Sequence, residues 1–230
     1  MFVPLYDENP KRHIRFAYVT YGLIALNTLI YLYQWSLSPA QYDNFAIDFG
    51  MIPIVVRNLV PQPLAWLPDW ANLATYAFLH ADWLHLLSNM LFLWIFGDNI
   101  EDAMGHWRYL AFYLTCAVLA ALLYLAFNFS ANGPLIGASG AVAGVMGAYV
   151  VLFPHAKVLV LTRIVIPLPV PVPAFWMLGL WVAMQIFYVL IGSSEPVAWW
   201  AHLGGVVAGA LLVLVLKRRD VPLWGGSLPR

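Results

Sequence analysis

The sequence predicts an all-α polytopic membrane protein, a bundle of six transmembrane helices, on three observations. Of its 230 residues, 63% are hydrophobic and 10% are charged, and the mean hydropathy is +0.77. A soluble domain carries about 25% charged residues, so the deficit here makes lipid the main solvent. Apolar runs suited to helices in a hydrocarbon core recur six times, at 16–35, 76–96, 109–127, 139–153, 173–191 and 201–216. The basic residues supply the third observation. Lys11, Arg12, Arg15, Arg108, Lys157, Arg163, Lys217, Arg218, Arg219 and Arg230 fall on one side of a six-span layout, with Arg57 alone opposite. The positive-inside rule then puts both termini in the cytoplasm.

Taken in order, residues 1–15 form a short cytoplasmic segment, polar and basic, in which no cleavable signal peptide is apparent. The connection 36–75 lies on the outer face. It is too apolar for a solvated loop and too broken by proline to span, so it reads as an interfacial segment with Trp66 and Trp70 at headgroup depth. The third run holds the single cysteine, Cys116, which rules out an intrachain disulfide and reads as packing material. The fourth and sixth runs are short. Between the fourth and fifth, "VIPLPVPVP" has prolines at alternate positions and cannot be helical, so it reads as a stiff connector. Residues 217–230 form a cytoplasmic tail, leaving 16–216 as one six-span domain.

Polar side chains inside spans are functional candidates. Four stand out: His85 and Asn89 in "HLLSNMLFLWIFG", Ser139 in "GPLIGASGAVAG", and His202 in "AHLGGVVAG". At 1.5 Å per residue, Ser139 and His202 each lie about 22 Å from the cytoplasmic end of their helices, and His85 about 20 Å. Polar groups from three helices therefore share one level, within reach of a water-filled cavity below the outer surface.

Small residues supply the means of contact. Gly140 and Gly144 make a close-packing face on the fourth span, as Ala201, Gly205 and Gly209 do on the sixth. Ser139 and His202 flank these faces, so a hydroxyl can meet an imidazole, the pairing that activates a serine nucleophile. His85 and Asn89 share one helical face and can both donate to an oxyanion, as can the Ser139 amide at a helix start. No carboxylate stands at this level on either short span, so a dyad fits better than a triad. Each residue alone has a bland reading: packing for Ser139, a helix-bridging hydrogen bond for Asn89. Four at one depth beside two close-packing faces favour the functional reading over the bland one.

These residues, with "GASG" opening the fourth span and "GDNIEDAMGHWRY" after the second, resemble the rhomboid family of intramembrane serine proteases. The likeness covers 16–216 in order, spacing and topology. It implies Ser139 as nucleophile, His202 as general base and acid, and His85, Asn89 and the Ser139 amide as the oxyanion hole. Gly137, Gly140 and His80 take supporting places, His80 near the water-filled cavity. The implied substrates are membrane proteins cut in or near a transmembrane segment, with no metal or other cofactor, and the fifth span with "GSSEPVAWW" as the gate. Three departures stand beside it: no Trp-Arg pair in the first outer loop, "EDA" where some members have Glu-x-Arg, and Ala143 where some stack an aromatic on the catalytic histidine. The first two put loop anchoring in question, and the third leaves His202 to be held by something else.

Other functions fit less well. A catalytically silent relative that binds membrane clients would lack the serine or the histidine. An intramembrane metalloprotease would need a His-Glu-x-x-His helix, which is absent. A transporter would show internal repeats, and nucleic-acid binding a basic stripe; neither is visible. A bacterial inner membrane suits a compact six-span chain.

Overall fold

In the computed structural model the helix Ser139–Leu152 (α5) stands at the centre, with the helices 83–104, 106–127, 174–190 and 199–216 packed against it. The structure describes residues 2–64, 66–163, 167–192 and 197–225. In chain order the helices are α1 (Tyr18–Ser36), α2 (Pro39–Phe49), α3 (Trp83–Met104), α4 (His106–Phe127), α5, α6 (Ala174–Leu190) and α7 (Trp199–Leu216). Short helical turns at Pro53–Val56, Asp69–Ala71, Asn72–Thr75 and Tyr76–Phe78 fill the connection before α3.

By length and composition α4 and α7 are apolar enough to cross a membrane; α5 and α6 are shorter apolar helices. Outward faces are oily, with Leu29, Trp94, Leu122, Leu190, Leu211 and Val215 all exposed.

The α5–α7 contact is made of backbone. A Cβ placed on Gly205 would fall on the Gly140 carbonyl, and one on Gly209 on the Gly144 carbonyl. The two small-residue faces read from the sequence do meet. Cys116 on α4 closes the other side, since a Cβ on Gly144 would strike its sulfur.

Four expectations need correction. The chain is not all-α: β1 (Phe2–Asp7), β2 (Lys157–Arg163) and β3 (Pro167–Pro173) form an antiparallel sheet in the order β1-β2-β3. The stiff connector is thus an edge strand. Its prolines, at alternate positions, turn their missing donors away from β2, while Leu168, Val170 and Val172 pair with it. The N-terminal segment is likewise not a bare tail, because β1 supplies the other edge. Searching for runs of about 20 apolar residues passes over strands of this length.

Third, the second helix runs 83–104 rather than 76–96. Asp82 caps its start, accepting from the His85 N–H at 2.8 Å, and Gly105, at φ +85°, ends it. The last turn extends because its acids are used inside the protein. Asp102 accepts the backbone N–H groups of Arg12, His13 and Ile14 at 2.7–3.0 Å. Glu101 accepts those of Val19 and Thr20 at the start of α1, where a helix N-terminus favours an anion. The "EDA" departure is therefore itself an anchor.

Fourth, the tail folds back: the Trp224 and Gly225 amides donate to the carbonyls of Val151 and Leu152, and Val221 is buried. At the same end, Asp7 accepts from the Tyr149 hydroxyl at 2.6 Å and from Asn99 at 3.0 Å. Burial raises the Asp7 carboxyl to about 6, although the Tyr149 hydrogen bond pulls it down.

The interfacial connection is folded rather than loose. Trp66 and Trp70 are exposed, but its polar groups tie inward. Asn72 donates to the carbonyls of Asp48 and Gly50, Thr75 to that of Phe49, and Arg57 to that of Phe129. These bonds anchor the loop without a Trp-Arg pair.

Candidate active site

Residues Leu135–Gly137, which lead into Ser139, are fixed by backbone. Met51 and Leu135 exchange N–H···O bonds of 2.9 and 3.0 Å, and the Gly137 N–H donates to the Tyr76 carbonyl at 2.9 Å. Gly137 sits at φ +124°, a conformation side chains resist. A Cβ there would also lie 2.7 Å from the His85 ring. After this turn α5 begins at Ser139, whose N–H is one of the first-turn donors with no partner inside the helix.

His202 comes from the first turn of α7. Its Nε2 lies 2.9 Å from Ser139 Oγ, and the pair opens on a cavity of about 940 Å³ that His85 and Asn89 also line. His202 is 9% exposed and lines that cavity. The Ala81 N–H approaches His85 Nδ1 at 3.4 Å, which leaves the imidazole proton on Nε2, beside Gly137. One Asn89 N–H is held by the His85 carbonyl at 3.0 Å; the amide has a second.

The structure thus gathers Ser139, His202, His85 and Asn89 on one cavity, with Gly137 against the His85 ring and Gly140 packed between α5, α4 and α7. His80 stands behind them. It is fully buried, off the cavity wall, with its ring 5.1 Å from that of His85 in a T-shaped contact. The Gln34 side chain clamps the His80 backbone, accepting its N–H at 3.1 Å.

Sequence reasoning passed over Gln185. Its Oε1 lies 2.7 Å from His202 Nδ1, and Trp181, one turn earlier, puts its ring 5.5 Å from the imidazole. The signal was available: Gln185 is a polar residue inside an apolar run. Ala143, the third departure, is fully buried, and a Cβ on Gly205 would lie 3.1 Å from its methyl. No ring fits there. The loop expected to form a gate falls partly outside the described residues, at 193–196. On its described side Tyr188 stacks on Trp199 at 4.4 Å and Phe127 on Trp200.

A family model described as Rhomboid domain matches residues 68–219. The chain is similar to Rhomboid protein 1, mitochondrial, of Saccharomyces cerevisiae, with 35% identity over 144 residues, 59% of this chain and 38% of that protein. It is similar to Presenilin-associated rhomboid-like protein A, mitochondrial, of Danio rerio, with 28% identity over 212 residues, 86% of this chain and 49% of that one. A third relative is Rhomboid protease AarA of Providencia stuartii, with 27% identity over 231 residues, 90% of this chain and 77% of the relative. The chain therefore spans less than half the length of the yeast and fish relatives.

Proposed function

The chain belongs to the rhomboid family, and from that membership we propose that it is an intramembrane serine endopeptidase. It cuts membrane proteins in or near a transmembrane segment. One observation carries the reading: a serine hydroxyl 2.9 Å from an imidazole nitrogen at the wall of a large cavity.

In this reading α1, α3, α4, α5, α6 and α7 cross the bilayer as one domain, 16–216, with both termini cytoplasmic in a bacterial inner membrane. The apolar outward faces and the one-sided basic residues support it. His202 Nε2 takes the proton as Ser139 Oγ attacks the scissile carbonyl, forming a tetrahedral oxyanion. The Ser139 amide, the His85 Nε2–H and the free Asn89 N–H donate to that oxygen. The C–N bond breaks as His202 protonates the leaving amine, and an acyl-enzyme remains. Water, deprotonated by His202, then releases the acid and restores the serine.

The test is cleavage of a single-span substrate reconstituted in liposomes. Wild type cuts it; Ser139→Ala and His202→Ala, with unchanged melting temperature, do not. Cleavage at the wild-type rate by either variant contradicts the assignment.

A further inference from the structure

We propose that Gln185 is a positioning residue, holding His202 in the one tautomer that can accept the Ser139 proton. The inference rests on the proposed protease reading and deepens it.

The logic runs through donors and acceptors. The Gln185 Nε2 donates to the Trp181 carbonyl at 3.2 Å, which turns Oε1 toward His202. An amide oxygen only accepts, so the imidazole nitrogen 2.7 Å away must donate. The proton of the neutral ring therefore sits on Nδ1, and the Nε2 lone pair faces Ser139 Oγ at 2.9 Å. The opposite tautomer would set two acceptors against each other at Nδ1 and leave Ser139 without a base.

Gln185 has no better reason to be where it is. It is 3% exposed, and Ala174 and Leu178 are the other buried residues of α6. A buried amide in an apolar helix is costly unless it is satisfied, and this one spends its oxygen on His202. A carboxylate would hold the same tautomer but would have to be desolvated at membrane depth. The amide orients without bringing a charge. Trp181, four residues earlier and so on the same face, packs by the ring that Ala143 leaves uncovered.

The experiment has two arms. In the first, ¹⁵N-histidine spectra of the resting wild type in detergent are compared with those of His202→Ala to identify the His202 ring. The expected signature is a protonated Nδ1 and a bare Nε2. A protonated Nε2 overturns the proposal, and no Gln185 variant need fold for that result. In the second, Gln185→Met, which keeps the length and removes the acceptor, lowers kcat about 10- to 100-fold with KM within about twofold. Gln185→Glu restores it to within about fivefold. Wild-type kcat in Gln185→Met, or a loss that Glu fails to restore, defeats the proposal. Ser139→Ala is run beside them. If it still cleaves, the protease reading itself has failed; if it is dead while Gln185→Met keeps full rate, only the positioning role has.

Discussion

Helices α5 and α6 both reach His202, and they are held in opposite ways. Of the fourteen residues of α5, twelve are buried, and its glycines lie carbonyl to Cα against those of α7. Of the seventeen of α6, three are buried, and Leu180, Phe187 and Leu190 face outward. Ser139 and His202 therefore ride on a seam that cannot slide without backbone collision, because close-packed interiors do not deform smoothly. Gln185, hydrogen-bonded to His202, comes from a helix with little buried surface. The candidate site is divided between a rigid pair and a lightly attached third member.

The largest predicted effect breaks the rigid side. Ser139→Ala or His202→Ala lowers cleavage by about 10⁴-fold or more, since dyad members act as a unit. Removing Asn89, one donor among several, costs less: Asn89→Ala lowers kcat about 10- to 100-fold and does not abolish it. Stability sharpens the contrast. Gly209→Val forces side-chain atoms onto the Gly144 carbonyl and destabilises by about 3 kcal/mol, read as a fall in melting temperature. Leu190→Ala, on the outward face of α6, stays within about 0.5 kcal/mol. Equal losses at the two sites would erase the distinction.

A smaller effect concerns the C-terminal end of α5, where Tyr149 holds Asp7. Folding raises this carboxyl from 3.8 to about 6, so the folded state favours its protonated form. The associated stabilisation is complete below about pH 4 and is lost as pH rises through about 6. Melting temperature in wild type therefore falls across that window, and Asp7→Asn flattens this component. An unchanged slope in Asp7→Asn would place the titration elsewhere.

Much of this contrast can be read in the sequence. Ser139, His202, His85 and Asn89 stand out because polar groups are rare in apolar helices, and the glycine spacing on two helices states which faces meet. The same rule points to Gln185, yet no motif or small-residue face in the sequence brings it to His202, and the bond between them is seen only in the fold. The sheet escapes for a different reason. β2, "KVLVLTR", and the proline-alternating β3 are too short for a membrane window, and their pairing with residues 2–7 is a long-range contact. Tertiary use also explains α3's extra turns, because Glu101 serves the start of α1 and Asp102 the segment before it rather than water. Loop anchoring through Asn72 and Thr75 is likewise invisible until Phe49 and Gly50 are placed beside them.

Activity-based labelling tests the central claim most directly. A fluorophosphonate probe reacts only with a serine made nucleophilic by a neighbouring base. In detergent-solubilised protein it should label wild type on Ser139, located by mass spectrometry, and should leave both Ser139→Ala and His202→Ala unlabelled. Labelling that persists in folded His202→Ala at the wild-type rate, or that falls on another residue, would contradict a Ser139–His202 dyad.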